Sequence, residues 1–242
     1  MTGTSGNPLR IAILINGYES AYKPLTLTSF KSALTTASRP SPSPSIDFYD
    51  PIVAQTYPDP EKYDLIILSG GSADPMGSDP WVLKLQDYLR ETVAQYPKQK
   101  LVGICWGHQT LSVTFGGTVG SMESAELGVN SFSLTEQGTA LFSSLPSKNL
   151  RIHEFHRREI TSPAKDFIPL AEQNQSFVNT ANTILTFQGH PELNPDLARA
   201  MLDAAPSYMG VEGARKKDLF DKLEDEHDGV DVLRRVLAWV KE

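Results

Sequence analysis

The sequence predicts an α/β protein: a mostly parallel central sheet flanked by helices in a flavodoxin-like arrangement, with an appended antiparallel section. Three observations carry this. Short, unbroken apolar runs alternate with helical patterns from Arg10 to Gly117, as expected for strands buried on both faces of a parallel sheet. Glycines gather at the ends of two of those runs, at Gly70-Gly71 and around Cys105, the carboxyl edge where such sheets bind ligands. Beyond Glu123 the alternation gives way to strand-like runs with short polar connections.

In chain order, "RIAILIN" (10–16) reads as the first strand and "LTLTSFKSALTTA" (25–37) as a helix. "SRPSPSPS" (38–45) is a surface loop, because its prolines interrupt regular pairing. "IDFYD" (46–50) and "YDLIILSG" (63–70) follow as strands. "DPWVLKLQDYLRETVAQY" (79–96) is a helix with Trp81, Leu85, Tyr88, Leu89 and Val93 on one face. "KLVGIC" (100–105) is the next strand, and "HQTLSVTF" (108–115) a helix stopped by Gly116-Gly117. Between Glu123 and Phe187, "VNSFSL", "LRIHEF" and "TILTFQG" suggest antiparallel strands added to the parallel core. The tail shows helical segments near 213–226 and 230–241, broken by "HDG". With no internal repeat and no dividing linker, one domain is expected over 1–242, with a core of about 10–205 and a helical tail over 206–242.

Composition narrows the functions. The formal charge of −7 argues against a nucleic-acid partner, whose phosphates demand a basic face. One cysteine excludes an internal disulfide. No apolar run approaches the roughly 18 residues of a membrane span, and "MTGTSGNPLR" lacks the apolar stretch of a secretion signal. The expectation is a cytoplasmic or nuclear protein with no membrane partner.

The lone cysteine lies in Gly103-Ile104-Cys105-Trp106-Gly107, the thiol form of a nucleophile elbow. A strand precedes it and a helix follows, so Cys105 meets the positive end of the helix dipole, which favours thiolate. The backbone N–H of Trp106 then points where an oxyanion forms. A thiolate nucleophile needs a base and a group to orient it. In "FQGHPEL", Pro191 keeps His190 extended, so His190 and Glu192 share a face. The Gly70-Gly71 turn after the strand offers further backbone N–H groups.

The remaining histidines have weaker claims. His108 lies one helical turn beyond Cys105 and is expected to pack or cap the elbow. His153 and His156 have the spacing H-E-x-H, not the H-E-x-x-H of a zinc protease. His227 falls in the charged tail and is expected to be solvated. With no clear His/carboxylate cluster in the sequence, neither a metal nor another cofactor is expected.

Together, Gly70-Gly71, the run Gly103 to Gln109 and His190 to Glu192 resemble the class I glutamine amidotransferase family, whose Gly-Gly oxyanion loop, G-x-C-x-G-x-Q motif and late H-P-E they match in order. The resemblance implies a Cys105–His190–Glu192 triad that forms a γ-glutamyl thioester. It also implies oxyanion donors at Gly71 and Trp106 and substrate contacts from Gly70 and Gln109. Two departures turn the reading away from free glutamine. Phe155 stands before His156 where many glutamine users have a small polar residue, and the loop reads Gly-Gly-Ser rather than Gly-Gly-Pro. The chain looks more like the stand-alone branch that includes plant γ-glutamyl peptidases. Arg157 and Arg158 then suit a second substrate carboxylate, which an arginine fork recognises well. The alternative is a glutaminase subunit delivering ammonia to a separate synthetase partner. A non-catalytic interaction protein sits poorly with an intact Cys, His and Glu.

Overall fold

The computed structural model describes residues 7–204 and 222–242. The chain opens with β1 (Arg10–Leu14), α1 (Lys23–Ser38), β2 (Ser45–Tyr49), β3 (Leu65–Leu68), α2 (Pro80–Gln95), β4 (Lys100–Ile104) and α3 (Trp106–Thr114). It continues through β5 (Thr118–Ser133), α4 (Glu136–Leu141), β6 (Asn149–Ser162), β7 (Phe167–Ala171), β8 (Ser176–Asn179) and β9 (Ile184–Phe187). Among the described residues, the helices α5 (Pro195–Ala204) and α6 (Gly229–Trp239) follow.

Among the described residues the main sheet has seven strands in the order β2-β1-β3-β4-β9-β8-β7. The first five run parallel, and β7 and β8 add an antiparallel edge. The central strands β1, β3, β4 and β9 are largely apolar because both sheet faces are covered there, and successive side chains go to opposite cores, whereas the edge strand β2 is only partly buried. Ile11 and Ile13 join Phe30 and Leu34 of α1 and Val232, Leu233 and Val236 of α6. Ala12 and Leu14 join Val82, Leu85 and Leu89 of α2 and Leu111 of α3. Each fully buried Leu or Ile contributes on the order of 1.5–3 kcal/mol.

The strands end earlier than their apolar runs. Ile15-Asn16, Ser69-Gly70 and Cys105 have already left the sheet for its carboxyl-edge turns, and these turns build the site. "TILTFQG" requires a correction. It is antiparallel on one side only: β9 pairs antiparallel with β8 but lies parallel to β4 inside the main sheet, Leu101 facing Ile184 through Ile104 facing Phe187. Its apolar character reports burial but not its partner's direction. β5 and β6 instead form a separate antiparallel ribbon. The helix expected near 213–226 falls largely outside the described residues, whereas that at 230–241 is α6. No helix among the described residues is long and apolar enough to cross a membrane.

Candidate active site

The carboxyl ends of β1, β3, β4 and β9 converge on one cleft, lined by Gly70, Gly71, Cys105, Gln109, Arg157, Arg158, His190 and Glu192 among others, with a cavity volume of about 200 Å³. Cys105 is the hinge between β4 and α3, at φ 51° and ψ −105°. Such a conformation costs of order 1–3 kcal/mol in a non-glycine residue and persists only when its surroundings over-determine it. Here the Cys105 N–H donates to the Phe187 carbonyl at 2.8 Å, and the Cys105 carbonyl accepts from the Gln109 N–H at 3.1 Å. The flanking glycines are required by close approach. A Cβ on Gly103 would lie 2.6 Å from the Gly107 carbonyl oxygen, and one on Gly107 2.5 Å from that of Leu68. Helix α3 therefore sits directly on the strands that present the thiol.

His190 follows β9, and its N–H donates to the His153 carbonyl at 2.8 Å, which ties it to β6. Its Nδ1 lies 2.9 Å from Glu192 Oε1. Both side chains are buried. The imidazole faces Cys105 across Gly70: a Cβ there would be 2.9 Å from His190 Cε1 and 3.7 Å from Cys105 Cβ. Burial opposes a charge on His190, but Glu192 and then Cys105 outweigh it and raise the imidazole well above the ordinary histidine value. Ser29 of α1 donates to the Glu192 carbonyl and steadies the turn from the other side.

Gly71 admits no side chain either, since a Cβ would lie 2.5 Å from the Asn16 carbonyl oxygen. Asn16 is a residue the motif reading passes over. Buried at the end of β1, it donates from Nδ2 to the Ser69 carbonyl (3.1 Å) and from its N–H to Ser69 Oγ (2.9 Å), which fixes the Gly-Gly loop. Trp106 is buried against Trp81, with ring centroids 5.1 Å apart, and its Nε1 donates to the Ala73 carbonyl at 2.9 Å. It thereby locks the first turn of α3 to the same loop.

The expected substrate contacts divide. Arg157 and Arg158 line the cleft, and Arg158 Nη1 reaches the Ser72 and Ala73 carbonyls at 3.3 and 3.4 Å. Gln109 also lines it, but its Nε2 donates to the Arg158 carbonyl (2.8 Å) and to Gln188 Oε1 (3.0 Å). Tyr18, Tyr22, Phe155, Leu193, Leu197 and Met201 form an apolar wall. It escapes motif reading because its members come from three stretches far apart in the chain, around 18–22, 155 and 193–201, which only the fold brings together.

Each remaining histidine is placed. His108 is fully buried, stacked on Phe177 and hydrogen-bonded to Thr186 Oγ1 at 2.9 Å. His227 requires a correction: it is half-buried, edge-on to His153 at 4.5 Å, because the start of α6 docks on β6 through Asp228 and Arg151. Burial, aided by neighbouring histidines, drives His108 and His153 down to about 3. The sequence also concealed a cluster. Glu126 from β5 and Glu154 from β6 each place an oxygen 2.9 Å from His156 Nε2. Despite burial, these carboxylates raise His156 to about 10, so the proton on His156 supplies the cluster's positive charge.

The family model for class I glutamine amidotransferases matches residues 29–204. The chain is 36% identical over 239 residues to the glutamine amidotransferase-like protein chyE of Penicillium rubens, covering 97% of this chain and 98% of that one. It is 31% identical over 173 residues to gamma-glutamyl peptidase 5 of Arabidopsis thaliana, covering 69% and 66% respectively. In fold it is similar to a glutamine amidotransferase from Thermotoga maritima, with a TM-score of 0.74 at 19% identity over 98% of this chain and all of that one. The chain belongs to the class I glutamine amidotransferase family.

Proposed function

We propose that this protein is a cysteine hydrolase that cleaves a γ-glutamyl amide or peptide bond through a thioester on Cys105, with His190 as acid and base and Glu192 as its orienting group. The observation that carries the reading is the buried His190–Glu192 contact of 2.9 Å with the imidazole facing Cys105 across Gly70. The Cys105 thiolate attacks the γ-carbonyl, the C–N bond breaks, and His190 protonates the departing amine. A water deprotonated by His190 then attacks the thioester, the C–S bond breaks, glutamate is released, and the Cys105 thiolate and His190 imidazolium are restored. The raised His190 suits the first step, which needs an imidazolium. Backbone N–H groups of Gly71 and Trp106 receive the oxyanion, each worth on the order of 2.7–4 kcal/mol. In this reading the whole chain acts as one domain.

A γ-glutamyl peptide is favoured over glutamine because its leaving group carries a carboxylate, and Arg157 and Arg158 line the cleft to receive it. A charge-assisted bond of this kind contributes roughly 1.5–3 kcal/mol. The test is incubation with glutamine, glutathione and several γ-glutamyl dipeptides, measuring ammonia and free amine separately. We expect faster peptide cleavage, and a loss of one to two decades on peptides alone when both arginines become alanine. Efficient glutamine hydrolysis with peptides ignored would favour the ammonia-delivering alternative.

A further inference from the structure

Beneath the cleft lies a closed ring of polar groups that the hydrolysis does not consume. Gln109 of α3 donates to the Arg158 carbonyl at 2.8 Å and to Gln188 Oε1 at 3.0 Å. The Gln188 N–H donates to the Gln175 carbonyl at 2.8 Å, and Gln175 Nε2 donates to Glu126 Oε2 at 3.1 Å. Glu126 Oε2 lies 2.9 Å from His156 Nε2, and His156 Nδ1 donates to the Arg158 carbonyl at 2.9 Å, which closes the circuit. Glu154 backs His156 from the second side at 2.9 Å. All but Glu126 and Arg158 are buried.

The ring joins parts that nothing local in the sequence connects. Gln109 lies one helical turn after Cys105, and Gln188 two residues before His190. The Arg158 carbonyl accepts from both Gln109 and His156, so the same node sets the arginine whose guanidinium reaches the Ser72 and Ala73 carbonyls. These hydrogen bonds join the ring link by link, and such buried networks hold their members in one arrangement, although Gln175 Oε1 and Gln188 Nε2 are buried without a partner among the described residues. Misplacement of reacting groups by about 1 Å can cost on the order of a hundredfold in rate.

We propose that His156 is a positioning residue: through its Nδ1 bond to the Arg158 carbonyl it completes this ring and holds the Cys105 helix in register with the segment bearing His190. Its two nitrogens have separable duties. Nδ1 serves the ring node, while Nε2 compensates the two carboxylates.

The test uses two replacements that each keep one nitrogen. Asparagine places an amide N–H near the Nδ1 position, and glutamine places one near Nε2. Alkylation of Cys105 by iodoacetamide is the first readout; with one cysteine in the chain it reports on that site alone. It needs no substrate, so its outcome stands apart from the hydrolysis reading. His156→Asn is expected to alkylate within about threefold of wild type but to melt at lower temperature, because Glu126 and Glu154 lose both their counter-charge and the hydrogen-bond donor that glutamine would still place near Nε2. His156→Gln is expected to melt higher than His156→Asn yet alkylate about tenfold more slowly than wild type, with kcat falling alongside and KM little changed. Activity and stability thus rank in opposite orders. If alkylation and kcat instead follow melting temperature across the pair, His156 has a structural role only and the proposal is overturned. If neither variant folds, Gln175→Met cuts the ring away from the cleft. An unchanged alkylation rate there overturns the proposal, and a fall of about threefold in a folded protein supports it.

Discussion

At the residue scale, the cleft depends on a few side chains in unfavourable settings. Cys105 occupies a strained backbone, and His190 carries a raised pKa inside a buried pocket. Cys105→Ala should abolish γ-glutamyl hydrolysis while circular dichroism and melting stay near wild type: Cys105 is buried, but it borders the cleft and the substitution removes only its sulfur. His190→Ala should be comparably damaging, by several orders of magnitude in kcat/KM. Glu192→Gln should leave measurable turnover, because the carboxylate orients and stabilises the imidazolium without exchanging a proton with substrate. It should also move the alkaline limb of kcat to lower pH. Glu192 is a principal group raising His190, and activity requiring the protonated imidazole is lost as pH rises through that value. A limb that stays in place would remove Glu192 from this role. Gly107→Ala tests the elbow, since its Cβ would lie 2.5 Å from the Leu68 carbonyl oxygen. The helix must shift, and a large activity loss should accompany modest destabilisation.

At the element scale, the β5–β6 ribbon binds the site through His156 and through the backbone bond from His190 to His153. This suggests a pH signature. His156 is near 6.5 when unfolded and raised to about 10 in the folded protein. Its stabilisation is fully present below the unfolded value and is lost as pH rises to about 10. The melting-temperature gap between wild type and His156→Gln should therefore shrink over that interval; a constant gap would contradict the assignment. The ribbon also shows where sequence reading stops. The runs at 129–134 and 150–155 declare strands by alternation. Nothing local in them discloses that Glu126 and His156 stand opposite each other. Register across a pair depends on both strands and their turn, so Glu126, Glu154 and His156 become a cluster only after pairing.

At the scale of the whole molecule, α6 closes the face of the sheet opposite α2 and α3, although it comes from the chain's far end. Trp239 is fully buried there, its Nε1 donating to Asn182 Oδ1 at 2.6 Å and the Lys100 Nζ 4.1 Å above its ring. Trp239→Ala should cost about 3–5 kcal/mol in a denaturant titration. A loss under about 1 kcal/mol would mean that the helix merely covers the surface.

Local chemistry was readable from the chain alone. Both-faces burial made β1, β3 and β4 unbroken apolar runs, and the elbow required glycines on either side of Cys105. His190 and Glu192 do meet, at 2.9 Å, but across a turn in which the Leu193 N–H returns to the His190 carbonyl at 3.3 Å, not along an extended segment. These features are legible because their causes act over a few residues. The direction of β9, the docking of His227 on His153, the apolar cleft wall and the ring through Gln109, His156 and Gln188 were decided by tertiary structure. Each depends on groups far apart in sequence whose polar atoms can find partners only once the sheet, ribbon and helices have assembled and excluded water.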